Sequence, residues 1–176
     1  MKKSIQIFVL FFLVQMANAQ GKMIEYKTGH VVKLSVPEYM SRTSGLNDDA
    51  CLEFQNAVKE VYTIVIQDDK ESLKLAELSY DGIEEFYDII FKELGVGENY
   101  QNRKVGTPKK RTIGNYKYII NECSLRDKEL EVDLYYVMGI VETPNSFYQV
   151  MSWTLSENKE KFKKEFENIV YTLKEE

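Results

Sequence analysis

Residues 116–155 read YKYIINECSLRDKELEVDLYYVMGIVETPNSFYQVMSWTL. Three runs rich in aromatic and β-branched residues are divided by two polar breaks. Tyr116 to Leu125 is the first run and Phe147 to Leu155 the last. Between them, Leu130 to Met138 alternates, with Leu130, Val132, Leu134, Tyr136 and Met138 on one side. The break Thr143-Pro144-Asn145-Ser146 is a turn with a mechanism, since Pro presets φ and Asn tolerates the left-handed region. Strands joined by breaks this short predict antiparallel pairing, not the long crossovers of a parallel sheet.

Both flanks extend this pattern. Downstream, Ser156 to Leu173 reads as an amphipathic helix, with Phe162, Phe166, Ile169, Val170 and Leu173 on one face. Upstream, Pro108 to Ile113 is a short strand ending at Gly114-Asn115. Ser79 to Leu94 reads as a second helix, with Ile83, Phe86, Tyr87, Ile90 and Leu94 in one stripe, Ser79 as N-cap and Gly95 past the end. Ala50 to Asn56 and Val61 to Ile66 form a hairpin, and the second of these is apolar on both parities, as in a strand covered on both faces. His30 to Val36 is a strand closed by Pro37, and Tyr39 to Asp49 is a polar loop. The order is three strands, a helix, four strands and a helix. It predicts an α+β domain in which helices cover sheet faces.

Taken together, these stretches resemble the PsbP-like (PsbP/Mog-type) fold. The resemblance rests on VVKLSVPEYM, on LNDDACLEFQN with VYTIVIQDD, on the trio GNYKYIINECSL, LEVDLYYVMGIVET and SFYQVMSWTL within residues 114–155, and on the closing KEKFKKEFENIVYTL. It spans roughly residues 26 to 173 and consists of patterns, not of an invariant catalytic signature. It implies a central antiparallel sheet of about six strands flanked by helices on both faces, in α/β/α layers. It also implies binding or assembly roles more often than catalysis. Neither a photosystem role nor nuclear import carries over: no photosystem-specific extension matches, and a leader for export does not suit an import factor.

That leader is residues 1–19. Lys2 and Lys3 precede an apolar run, Ile5 to Val14, and Ala17-Asn18-Ala19 places small residues before Gln20. This is the pattern of a secretory signal peptide cleaved between Ala19 and Gln20. A run of about ten apolar residues is half of what a spanning helix needs. No Cys follows it to carry a lipid anchor. Removing 19 of 176 residues leaves 157 in a single domain, 20–176. Losing Lys2 and Lys3 takes the 23 basic residues to 21 against 28 acidic ones, a formal net charge of −7. A periplasmic or secreted protein follows, without stable membrane insertion after cleavage, and the acidity disfavours nucleic acid as a partner. The composition, 44% hydrophobic and 29% charged with three Pro and nine Gly, excludes disordered and low-complexity chains.

Few residues carry chemistry. His30 is the only histidine, which excludes His-rich metal sites and leaves a Ser-His-Asp triad no other base. Asn47-Asp48-Asp49 offers oxygens but lacks the calcium-loop spacing, so it reads as a turn. No cofactor, metal or catalytic residue is expected. Cys51 and Cys123 are the only thiols, and in an oxidising compartment they allow one disulfide. It would close a loop of about 73 residues, worth roughly 4 kcal/mol; the alternative is two buried free thiols. Arg103, Lys104, Lys109, Lys110 and Arg111 concentrate positive charge in an acidic chain, a candidate contact for an anion or an acidic partner, or else a solubilising edge. Tyr116, Tyr118, Tyr135, Tyr136, Tyr148 and Trp153 either pack under helices or expose a binding face. The expectation is a non-catalytic binding or assembly module of the bacterial envelope with a protein partner. The alternative is a small-molecule or lipid binder using a cleft between sheet and helix. The sequence leaves the oligomeric state open.

Overall fold

A computed structural model describes residues 22–28 and 32–175; the expected signal peptide and His30 lie outside them. The strands are β1 (Met23–Thr28), β2 (Val32–Pro37), β3 (Ser41–Arg42), β4 (Ala50–Asn56), β5 (Val61–Asp69), β6 (Tyr100–Val105), β7 (Lys109–Ile113), β8 (Tyr116–Asp127), β9 (Val132–Glu142), β10 (Ser146–Leu155) and β11 (Lys174–Glu175). The helices are α1 (Lys70–Leu75), α2 (Ile83–Glu93) and α3 (Lys159–Tyr171), the last entered through a single 3₁₀ turn, Ser156–Asn158.

The main sheet has eight strands, not about six, in the order β3-β4-β5-β10-β9-β8-β6, with β7 also on β8. Every pairing is antiparallel. The extra strands lie at the margins, where β6 and β7 share one edge of β8. Tyr100 pairs with Asp127 at one end and Ile113 with Tyr116 at the other, and the edge breaks at Gly106 between them. A second sheet, β1-β2-β11, joins the start of the described domain to its end.

The turns follow from local chemistry. After β8, the Asp127 carboxylate accepts the backbone N–H groups of Glu129 and Leu130, both at 2.9 Å. This turn takes Leu130 out of the expected inward row and leaves it exposed, because the carboxylate needs the amides of residues 129 and 130 in a turn and not in a ladder. After β9, the Ser146 N–H donates to Thr143 Oγ1 at 2.9 Å. The Asp69 carboxylate caps α1 by accepting the Ser72 N–H at 2.8 Å. Helix α2 starts after Gly82, whose φ of 92° no other residue adopts easily, and so three residues later than a cap at Ser79 would place it.

Alternation divides the core in two. Tyr118, Ile120, Tyr135, Val137, Val141, Tyr148 and Val150 pack with Phe162, Phe166, Ile169 and Val170 of α3 and with Val32, Leu34 and Val36 of β2. The intervening residues Ile119, Cys123, Leu125, Leu134, Met138, Ile140 and Phe147 pack with Ile83, Phe86, Tyr87 and Phe91 of α2. Phe86 stacks on Phe147 at 4.5 Å, a contact worth roughly 1 kcal/mol beyond its buried area. Helix α3 comes closest to the sheet over Gly139, where a side chain would meet Val170.

Candidate functional site

On the α2 side of the sheet, one row of residues runs across four strands. Tyr62 of β5 is opposite Trp153 of β10, Trp153 opposite Tyr136 of β9, and Tyr136 opposite Cys123 of β8. The Tyr62 and Trp153 rings stack at 5.2 Å with 15° between planes, and Trp153 and Tyr136 at 6.1 Å with 27°. Cross-strand spacing is about 4.8 Å, so stacked rings stand off the sheet like books on a shelf. Their edges, rather than their faces, meet the opening.

Helix α2 covers Ile119, Leu134, Ile140 and Phe147 and the Cys123 end of this row, leaving Tyr62, Met151 and Trp153 partly exposed. The result is an open groove of about 670 Å³. Its floor is the aromatic row with Met151 and Leu155; Leu46 and Glu60 stand at one wall, Tyr100 and Leu130 at the other. Leu46 is held there because its backbone N–H donates to the buried Glu53 carboxylate at 2.9 Å. Among the described residues, neither the Tyr62 and Tyr136 hydroxyls nor the Trp153 indole N–H has a protein hydrogen-bond partner. Burial, reinforced by Tyr100 and Asp127, pushes the Tyr136 hydroxyl up, so it stays protonated and remains a donor. Among the described residues, Glu60 and Asp127 are the only charged ones lining the groove.

The basic run is largely committed inside the molecule. Arg103 donates from Nε to the Leu94 carbonyl at 2.8 Å and from Nη2 to the Phe91 carbonyl at 2.7 Å, capping the C-terminal end of α2. Lys109 pairs with Glu167 of α3 at 2.6 Å, and Lys110 with Glu84 of α2 at 3.3 Å. Arg111 lies over the Tyr171 ring, 5.3 Å from its centroid. These alternating side chains tie β7 to the helices on either side of it. Lys104 stands apart on β6 and is exposed.

The two thiols are not joined. Cys51, on β4, packs toward the α3 cluster, and Cys123, on β8, is buried in the α2 cluster. Strands β5, β10 and β9 lie between them, which puts the two roughly 19 Å apart across the sheet. A disulfide needs Cα atoms within about 7 Å, so of the two arrangements open to these cysteines the structure has two free thiols and not the possible disulfide. Burial pushes both thiols up, which makes them poor nucleophiles. Asn47 serves the turn before β4, its Oδ1 accepting the Asp49 N–H at 2.9 Å. No group of metal-ligating side chains converges among the described residues.

The aromatic signal was legible residue by residue for Tyr136 and Trp153. Tyr62 was not singled out, because it sits in a strand that reads as core on both parities. What brings the three together is the insertion of β10 between β5 and β9.

No protein-family model matches the chain, and no curated protein matches its sequence. Solved structures do. Cyanobacterial PsbP (CyanoP) from Synechocystis sp. PCC 6803 aligns with a TM-score of 0.57 at 10% identity, over 91% of this chain and 96% of that one. LpqN of Mycobacterium tuberculosis, described as involved in cell envelope biogenesis, aligns with a TM-score of 0.53 at 10% identity, over 92% of this chain and 94% of that one. The chain therefore has a PsbP-like fold. Among the described residues, no helix is long and apolar enough to cross a membrane.

Proposed function

We propose that this chain is an exported, non-catalytic binding module of the bacterial envelope, matured by cleavage after Ala19, and that its contact site is the aromatic groove. In this reading the domain is a layered α/β/α body with α2 and α3 on opposite faces, and the half-face that α2 leaves open is the working surface. The observation that carries the reading is the uncovered Tyr62–Trp153–Tyr136 row. Large aromatic side chains with unpartnered polar tips are what protein interfaces enrich. The envelope role described for LpqN supports the compartment.

A second reading, a small-molecule or lipid site, is favoured by the groove volume of about 670 Å³, inside the usual range for ligand sites. Such sites enclose most of their ligand, whereas this groove is partly open to solvent, and so the protein-contact reading comes first. Photo-crosslinking decides between them. A crosslinker at Leu130, beside the groove, and one at Leu75, on α1, are compared in the native envelope, with mass spectrometry of captured proteins and small molecules. Capture from position 130 and not from 75 supports the groove, and the captured species names the class. Equal capture from both positions would sink the proposal. N-terminal sequencing of the exported chain should begin at Gln20.

A further inference from the structure

The groove opens at one end of the main sheet, and the loops there share a character. They are the β4–β5 turn (57–60), the β8–β9 turn (128–131) and the loop from α2 to β6 (94–99). The last two touch, since the Lys128 N–H donates to the Asn99 carbonyl at 2.8 Å. Their tips are apolar and bare: Val58 is 96% exposed, Leu130 65% and Val96 62%, with Tyr100 at 36% between them. Single exposed apolar residues are ordinary, but Leu130 and Tyr100 line the aromatic groove and form one apolar patch with it.

The charge around that patch is acidic. Exposed Glu60 lines the groove, exposed Glu129 and Glu131 flank Leu130, and Glu98 lies in the adjoining loop, while Asp127, which also lines the groove, is buried and holds the β8–β9 turn. Against these four exposed glutamates stand three nearby cations, of which Lys59 and Arg126 are occupied and Lys128, in the β8–β9 turn, is exposed. Lys59 sits 3.7 Å from the centre of the Tyr39 ring, and Arg126 is paired with Asp133 at 3.1 Å and with the Glu131 carbonyl. From Glu60, at the start of β5, to Asp127, at the end of β8, the sheet crosses three strand spacings, roughly 14 Å. About four residues of extended peptide cover that distance.

We infer that the groove takes a basic polypeptide segment in extended form, with two cationic side chains about four residues apart and an apolar side chain between them seated on the Trp153 row. This rests on the binding reading above and gives the partner its chemistry. The exposed carboxylates of Glu60 at one wall and of Glu129 and Glu131 beside Leu130 at the other meet the cations, and the apolar anchor rests on the Trp153 row between them. An anionic membrane is disfavoured, because the same carboxylates would face its surface charge.

Trp153 is the only tryptophan in the chain, so its emission reports groove occupancy directly. The test titrates the mature chain with a synthetic peptide of lysine, glycine and leucine, with counterparts carrying glutamate or serine in place of lysine, and with phosphatidylcholine–phosphatidylglycerol vesicles. The lysine peptide should shift Trp153 emission and bind at least about tenfold more tightly than the serine peptide, with an affinity that falls as salt rises. The double change Glu60→Gln and Glu131→Gln should weaken it about tenfold. Leu130→Ser should weaken it too, while Glu25→Gln on β1 should leave it unchanged. Equal binding of the lysine and serine peptides would overturn the charge requirement and leave the binding reading intact. Binding of the glutamate peptide or the vesicles in preference would overturn the inference in favour of that occupant. Silence of Trp153 toward every probe would overturn the inference and remove the groove as the contact site.

Discussion

Replacing Gly139 by alanine tests the packing of α3 on the sheet at its tightest point. Gly139 lies in β9 between Ile120 and Val150, with Val170 of α3, itself fully buried, directly above. A Cβ at this position would stand 2.3 Å from Val170 Cγ1, 2.6 Å from Cγ2 and 3.0 Å from Cβ. Carbon atoms settle at about 3.5–4.0 Å, so the helix or the strand must give way by more than an ångström. Valine on a helix has essentially one rotamer and cannot swing clear. The backbone at Gly139 is not left-handed, so without this contact alanine would stabilise the protein by about 0.4–1 kcal/mol through the unfolded chain. Overpacking reverses the sign, and the expected net loss is about 2 kcal/mol. Val170→Ala alone leaves a cavity and should cost roughly 2 kcal/mol. In the double variant the new methyl occupies space that the two Cγ atoms vacate, so the combined loss should fall short of the sum by roughly 2 kcal/mol. Urea unfolding of all four proteins, followed by circular dichroism and Trp153 emission, gives the cycle, provided the denaturant slope is constant. A Gly139→Ala protein as stable as the parent, or strict additivity in the double variant, would refute this account of how the helix is seated.

Four further outcomes are expected. Thr154 is buried and its Oγ1 has no partner among the described residues, so Thr154→Val should stabilise the fold by about 1 kcal/mol in the same urea assay; a loss would mean that the hydroxyl is satisfied. Burial pushes the Glu122 carboxyl up, but Lys163, the Tyr135 hydroxyl and Lys159 outweigh it and bring it down to about 2 from an ordinary 4.5. A folded value depressed in this way gives stability that is present above about pH 4.5 and is lost as the pH falls toward 2. Unfolding measured across that window should show Glu122→Gln losing less stability with acid than the parent, and parallel curves would count against the network. Arg103→Lys removes the fork to the Leu94 and Phe91 carbonyls and should cost about 1–2 kcal/mol, whereas Lys104→Ala should fall within about 0.5 kcal/mol of the parent. Denatured, unreduced protein should titrate both of its two cysteines as free thiols, and reductant should leave the melting temperature unchanged; a melting temperature that falls with reductant would restore the disulfide.

Legibility in the sequence followed burial. The β8–β9–β10 meander and the β4–β5 hairpin could be read because turn chemistry at Asp127 and Thr143-Pro144-Asn145 punctuates runs whose side chains are driven indoors. Helix α3 could be read because Phe162, Phe166, Ile169 and Val170 are buried at helical spacing. Strand β6 could not. Its residues, Tyr-Gln-Asn-Arg-Lys-Val, are almost all exposed, and Asn102 bends it with a φ of 57°. An edge strand with nothing to bury leaves no alternation to find. Helix α1 has no buried residue and left no helical period for the same reason. The basic run was visible as charge, but its internal partners were not: Glu84 and Glu167 are distant in sequence and reach β7 only because α2 and α3 lie on either side of it. The choice between a disulfide and two free thiols is open in the sequence because it turns on sheet order, which places β5, β10 and β9 between the two.

The two faces of the sheet are finished differently, and the difference bears on function. On the α3 side, the helix and the small sheet through β2 together leave Tyr135, Val141, Tyr148 and Val150 without solvent contact. On the other side, the strands carry equally apolar residues, yet α2 has only eleven positions and covers one half. The uncovered half is not a polar surface that needed no cover. It holds the chain's one tryptophan stacked between two tyrosines. These side chains are partly buried, so covering the remainder would add only a fraction of the roughly 2 kcal/mol that full burial of an exposed side chain is worth. Where an aromatic row is left half-open beside exposed glutamates, the economical explanation is that something else covers it. That is why the binding site is placed at the groove and not at the basic edge, whose charges, Lys104 apart, have partners within the domain.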